Sequence, residues 1–328
     1  MEEHLLTQES GTTGSVVVLA GGVGGAKLAH GLALLGLGDR LCVVVNTADD
    51  FELYGLAISP DLDTVLYTLA GIANPVTGWG ILGDTAHTLG MLGRYGRPTW
   101  FWLGDRDLAT HILRTERLRQ GARLTEVTAE LAAALGVTAR ILPMCDEPVR
   151  TIVETPHGPL PFQEYFVRRR QQDTVLAVRF EGIMQAHPTP EVEQALLHAD
   201  AVILAPSNPI VSIGPILALS GIRQLLQQLA APIVAVSPIV AGRALKGPAD
   251  RMLASLGHEV SPLGIARLYQ DFLDGLVIDQ ADTELAPAVA ELGIRPFVTD
   301  AIMRDEADRA RLARETLAFA LDLRGARP

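Results

Sequence analysis

The stretch 16–27, Val-Val-Val-Leu-Ala-Gly-Gly-Val-Gly-Gly-Ala-Lys, constrains this chain most strongly. Five apolar residues suited to a buried strand run into a turn with four glycines, and a helical run follows. That order makes a phosphate cradle. Glycines such as Gly22, Gly24 and Gly25 let the backbone approach an anion closely, and the helix N-terminus offers free N–H groups and a positive dipole end. Lys27 can add its charge to the same anion. Neither familiar variant of the motif fits. Leu28 stands where a Walker-type loop needs Ser or Thr, and Lys27 stands where a dinucleotide fingerprint beginning at Gly22 needs Gly or Ala. A tight turn that binds nothing therefore stays open as the alternative.

Short apolar runs at 16–20, 41–45, 99–103, 201–205 and 233–237 read as strands buried on both faces. They alternate with helical patterns at 26–35, 62–71, 107–119, 125–135, 190–198, 213–229 and 301–323. Alternation of this kind predicts an α/β fold with a mostly parallel sheet covered by helices on both sides. With 328 residues, 48% of them hydrophobic, the chain is long enough for a large core. The middle, 105–185, differs: a helix pair precedes a proline-rich stretch and the run Arg168, Arg169, Arg170. It reads as an inserted α/β subdomain, leaving 15–104 and 186–328 as the core, with 1–14 as a disordered leader.

Formal net charge is −11, which argues against a nucleic-acid partner. Cys42 reads as core and Cys145 as a loop residue, and their spacing gives neither a zinc site nor a disulfide framework. No secretory signal or membrane-length apolar run occurs, so a cytoplasmic protein without a membrane partner is expected.

Ligands of open α/β sheets bind outside the carboxyl ends of the strands. The loops there are 21–27, 46–50, 206–209 and 237–247, all polar or rich in Gly and Pro. Asp49 and Asp50 lie in the second, and Asp61 and Asp63 follow shortly after. Two residues apart on extended backbone, Asp61 and Asp63 would point to one side. Four aspartates within fifteen residues, with no Lys or Arg among them, repel one another unless a cation intervenes, and the ligand type suits Mg²⁺. Alternatively, Asp61 and Asp63 only cap the helix that follows. Trp79, between Gly78 and Gly80, is either a stacking surface for a planar ligand or a loop anchor. Asp105 and His111 form either a polar wall of the site or a salt-bridged helix start.

The blocks Ala-Gly-Gly-Val-Gly-Gly-Ala-Lys, Val-Asn-Thr-Ala-Asp-Asp, Ser-Pro-Asp-Leu-Asp-Thr-Val-Leu-Tyr-Thr-Leu-Ala-Gly, Gly-Trp-Gly, Leu-Gly-Asp-Arg-Asp-Leu-Ala-Thr-His, Phe-Gln-Glu-Tyr-Phe-Val, Ala-Pro-Ser-Asn-Pro-Ile-Val-Ser-Ile-Gly-Pro-Ile-Leu and Val-Ser-Pro-Ile-Val-Ala-Gly occur in that order over about 16–280. Together they resemble the 2-phospho-L-lactate transferases of coenzyme F420 biosynthesis. The resemblance implies a Rossmann-like fold with an inserted subdomain and a Mg²⁺-dependent reaction. In it a phospholactyl or enolpyruvyl-phospho group passes from a GDP-linked donor to the 5′-hydroxyl of the deazaflavin Fo, releasing GMP. It implies Asp49, Asp61 and Asp63 as metal-site residues. For such chemistry Asp50 is a candidate base, and a Mg²⁺-assisted route with no dedicated base stays open beside it. Ser207 and Asn208 would read guanine, while Ser212 and Arg243 would help bind phosphate. Trp79, Gly80, Asp105 and His111 would line the acceptor site. A homodimer acting on small molecules is the expected assembly. The alternatives are a non-catalytic nucleotide-sugar-binding regulator of the same superfamily and a nicotinamide-dependent oxidoreductase.

Overall fold

The computed structural model describes residues 14–324; the leader expected over 1–14 lies, apart from Gly14, outside them. Seven strands form one parallel sheet: β1 (Val16–Ala20), β2 (Leu41–Val45), β3 (Arg140–Pro143), β4 (Ala201–Leu204), β5 (Ile233–Val236), β6 (Gly275–Asp279) and β7 (Arg295–Thr299). Their order across the sheet is β7-β6-β5-β4-β1-β2-β3, the Rossmann order extended by one strand. The chain reverses direction of winding at β1, whose neighbours are β2 and β4.

Side-chain alternation splits the core into two layers. Val17, Leu19, Cys42, Val44, Val202 and Leu204 face one side, while Val16, Val18, Ala20, Val43, Val45 and Ile203 face the other. Helices cover both, so the central strands are buried along their whole length and almost wholly apolar, Asp279 at the end of β6 being the exception. On the second side lie α1 (Val23–Ala33), α2 (Pro60–Leu69), α3 (Asp107–Arg119), α4 (Leu124–Ala134) and the C-terminal helix Glu306–Asp322. No helix among the described residues is long and apolar enough to cross a membrane.

The strands expected at 16–20, 41–45, 201–205 and 233–237 form within a residue of those bounds. The one expected at 99–103 does not. The position beside β2 is taken by β3, and the 99–103 aromatics instead pack on a hairpin, Phe51–Leu53 with Leu56–Ile58. The Phe51 and Phe101 rings meet edge-on at 4.8 Å. β3 comes from within the segment read as inserted, while the separate three-stranded sheet is built from Arg150–Thr155, Gly158–Pro161 and Ala177–Glu181. The helix expected over 213–229 is two, Ile213–Ala218 and Ile222–Gln228, separated at Gly221, whose φ of 84° no helix continues through. Cys145 follows β3 in a loop but is fully buried.

The small sheet adjoins the rim, where the Thr151 amide donates to the Ala48 carbonyl at 2.7 Å. The glycine turn after β1 is packed as tightly as a core. A Cβ on Gly24 would run into the Pro206 carbonyl, and one on Gly25 would sit 2.8 Å from the Ala20 side chain. These glycines have negative φ, being absent from the left-handed set; they serve close approach of backbone to backbone. Gly24→Ala is therefore expected to destabilise the protein by about 1–3 kcal/mol, the range for overpacking, measured by urea unfolding; an unchanged midpoint would contradict this packing.

Candidate active site

The loops after β1, β2 and β4 converge where the winding reverses. Asn46 ties them together. Its Oδ1 accepts from the Ala48 amide at 3.0 Å, and its Nδ2 donates to Asp61 Oδ2 at 3.0 Å and to the Val211 carbonyl at 3.3 Å. Ser207 Oγ accepts from the Gly21 amide at 3.1 Å, and Ser212 lies against Gly21. No side chain caps α1 and its first turn carries no acid, so its leading N–H groups face the rim without a side-chain acceptor.

The four aspartates do not form one group. Asp61 and Asp63 sit in the first turn of α2, where two residues subtend about 200° at 3.6 residues per turn. They point opposite ways, contrary to the extended-backbone expectation. Asp61 faces the glycine turn: a Cβ on Gly22 would lie 2.8 Å from its Oδ1. Asp63 faces inward, where α3 delivers Arg114, 1% exposed. The guanidinium holds both Asp63 oxygens as a fork, Nη1 to Oδ2 at 3.0 Å and Nη2 to Oδ1.

A basic partner absent from the local sequence thus reaches Asp63 from 51 residues away. His111 is buried beside it, with Nδ1 3.6 Å from Asp63 Oδ2 and Nε2 3.4 Å from Asp107 Oδ1. Tyr67 donates to Asp107 at 2.7 Å. Asp63, Asp107 and His111 are spaced closely enough to ligate a metal, but Arg114 already supplies the positive charge there. Asp63 and His111 thus lie in one buried network with Arg114, Asp107 and Tyr67.

Asp49 and Asp50 are buried, and one carboxylate oxygen of each, Oδ1, has no hydrogen-bond partner. Burial and the Asp61 charge push the Asp49 pKa well up. Burial pushes Asp50 to about 7, against the hydrogen bond from Ser59 at 2.6 Å, and burial raises Asp61 to about 6. No Lys or Arg pairs with Asp49 or Asp61 among the described residues. Asp49, buried and with an unmatched Oδ1, and the half-buried Asp61 repel each other, a pair that fits a hard divalent cation.

The other expected site residues have these surroundings. Asp105 accepts from Thr85 Oγ1 at 2.6 Å and from the His87 and Thr88 amides at 2.9 Å each, holding the first turn of the helix His87–Arg94. Asn208 Oδ1 accepts from the Ile210 amide at 2.9 Å and its Nδ2 points at Met252 Sδ, so its side chain shapes its own loop. Lys27 Nζ donates to the Met303 carbonyl at 2.8 Å. Arg243 is exposed on the short hairpin Ile239–Val240 with Arg243–Ala244. Trp79 is 43% exposed and meets Trp102 edge-on at 5.6 Å. Gly78 and Gly80 on either side have φ of 80° and 71°, backbone that only glycine adopts without strain. Sequence reading missed Arg114, which lacks any local signal, and Asn46, which sat in a quoted block without a role.

A Rossmann-ordered sheet with an uncapped helix N-terminus and cation-ready carboxylates at its winding reversal is equipment for a phosphate-bearing ligand. The family model described as 2-phospho-L-lactate transferase CofD matches residues 16–317, and the chain belongs to that family. It is 41% identical over 316 residues to a phosphoenolpyruvate transferase of Kitasatospora aureofaciens, covering 94% of this chain and 98% of the relative. It is 42% identical over 288 residues to a 2-phospho-L-lactate transferase of Methanosarcina acetivorans, covering 88% and 93%. A crystal structure of a UPF0052-family protein from Bacillus halodurans shares the fold, with a TM-score of 0.59 at 14% identity over 93% of this chain and 98% of that one. The chain is a transferase of its family, not the regulator or oxidoreductase held as alternatives.

Removing one partner of a buried ion pair costs about 3–5 kcal/mol. Arg114→Ala and Asp63→Asn are both expected to destabilise the fold on that scale in urea unfolding; near-wild-type stability of either would contradict the pairing. A second expectation concerns pH. Asp50 and Asp61 titrate higher in the fold than the ordinary value near 4, so their protonated forms are favoured there. Their contribution to stability is present below about pH 4 and is lost as pH rises through about 6 to 7. His30, whose pKa burial lowers, slopes the other way. In EDTA, the wild-type Tm should fall between pH 5 and 8 relative to Asp50→Asn. A wild-type curve parallel to the variant's would count against the raised Asp50.

Proposed function

We propose that the chain transfers a three-carbon phospho-acid from a guanosine diphosphate-linked donor to the ribityl 5′-hydroxyl of the deazaflavin Fo, with Mg²⁺ as cofactor, in coenzyme F420 biosynthesis. The observation that carries this reading is the meeting, at one rim, of the open α1 N-terminus with Asp49 and Asp61, two carboxylates that no side-chain cation neutralises. The hydroxyl oxygen bonds to the phosphorus that bears the acid. The bond from that phosphorus to the oxygen bridging to GMP breaks, and the hydroxyl proton departs.

Such displacement needs alignment and charge neutralisation more than covalent catalysis. Asp49 and Asp61 would hold Mg²⁺, which supplies neutralisation for the diphosphate. The leading N–H groups of α1 bind diphosphate oxygens. Asp50, with a pKa of about 7 and a free Oδ1, suits acceptance of the hydroxyl proton near neutral pH. Trp79 offers its half-exposed ring to the planar acceptor. Cys42 and Cys145 are buried, in keeping with direct transfer rather than a cysteine-bound intermediate. Relatives named for the lactate and the enolpyruvate donor match at nearly equal identity, so both donors belong in the assay. We further propose that the protein acts in the cytoplasm as a homodimer, on small molecules alone.

Asp49→Asn should lower Mg²⁺-dependent GMP release on the order of 10²–10³-fold, as for loss of a preorganised electrostatic group, with Tm at or above wild type. The test is GMP and product mass, followed with Fo and each GDP-linked acid. GMP release at an equal rate without Fo would make the protein a donor hydrolase instead.

A further inference from the structure

The chain holds only two lysines, Lys27 and Lys246, among 27 basic residues, and the fold brings them to one place. Lys27 lies one turn beyond Val23 on α1. A Cβ on Gly78 would sit 2.8 Å from the Val23 side chain and 2.9 Å from Lys246 Nζ, so the 74–80 loop is wedged between α1 and Lys246. Lys246 Nζ donates to the Thr77 carbonyl at 2.7 Å, as Lys27 Nζ does to that of Met303. Arg309, on the C-terminal helix, joins them: its Nη1 lies 3.4 Å from His30 Nδ1, and its buried Nε has no partner.

None of the three cations has a carboxylate partner among the described residues, in a chain of net charge −11. Burial, then the charges of Arg309 and Lys246, hold the Lys27 pKa below its ordinary value. Three cations gathered in this way repel one another unless an anion sits among them. Each ammonium has three donors and gives one to a neutral carbonyl, which leaves two. Lysine is also a compact point charge on a flexible stem, suited to an anion whose orientation changes as it is handed over.

We propose that Lys27, Lys246 and Arg309 bind the phospho-acid end of the donor, its carboxylate and the phosphate oxygens beside it, rather than the nucleotide. Placement favours this end. The cluster adjoins the loop that carries Trp79, and the transferred group must reach the acceptor whereas the nucleotide need not. The inference rests on the reading under Proposed function for the identity of the donor.

With only two lysines, ¹³Cε-lysine labelling gives two side-chain signals, assigned with Lys27→Gln and Lys246→Gln. Phosphoenolpyruvate is the probe and GMP the control. Both signals should shift with one common Kd on adding phosphoenolpyruvate and stay still with GMP. In turnover, Lys246→Gln should raise the donor KM about tenfold, the loss of one charge-assisted hydrogen bond, and leave the Fo KM unchanged, with Lys246→Arg partly restoring the donor KM. Lysines that answer GMP as strongly as phosphoenolpyruvate would overturn the proposal, and so would silent lysines together with an unchanged donor KM. Lysines that respond to phosphoenolpyruvate in a protein that releases no GMP would keep this site and sink the transfer reading instead.

Discussion

The buried fork between Arg114 and Asp63 decides what the other acids can do. Arg114 crosses from α3 into the base of the rim and takes both oxygens of one aspartate. That leaves Asp49, in the loop after β2, and Asp61, on the opposite side of the first turn of α2, without a side-chain cation among the described residues. A guanidinium matches a carboxylate fork geometrically and stays charged when buried. The network around it, with Asp107, His111 and Tyr67, holds α2 and α3 together beneath the site. The charge balance thus separates Asp63, paired with Arg114, from Asp49 and Asp61, which no Lys or Arg pairs with among the described residues.

The glycine turn applies a second constraint. Because Gly24 and Gly25 allow the 206–212 loop to lie directly on α1, Ser207 can hold the Gly21 amide and Asn46 can reach both Asp61 and Val211. Three loops from three strands are thereby fixed at the point where the sheet reverses its winding. The N-cap of α1 is Gly22, which has no side chain to cap the helix N-terminus.

Much of the sheet was legible because twice-buried parallel strands are short apolar runs bounded by turns, as 16–20 and 41–45 are. The stretch 99–103 is also short and mostly apolar, but it packs Trp100 and Phe101 on a neighbouring hairpin, a tertiary choice that local pattern does not encode. Three strands of the parallel sheet were missed: Arg140, Pro143, Arg295 and Pro296 break the apolar runs of β3 and β7, which edge strands tolerate, and β6 has only three apolar side chains between Gly275 and Asp279. At the site, the carboxylate cluster was legible as a cluster, but its division was not. Asp61 and Asp63 diverge because the helix starts at Pro60 rather than after them, and Arg114 lies far along the chain. The lysine cluster was hidden for the same reason.

The central claim is that the cation belongs between Asp49 and Asp61, not among Asp63, Asp107 and His111. Anomalous diffraction from crystals soaked in Mn²⁺ and GDP separates the two directly. The account predicts a peak bridging Asp49 and Asp61 in front of the glycine turn, with the Arg114–Asp63 fork intact. A peak at Asp63, Asp107 and His111, with Arg114 displaced, would contradict it.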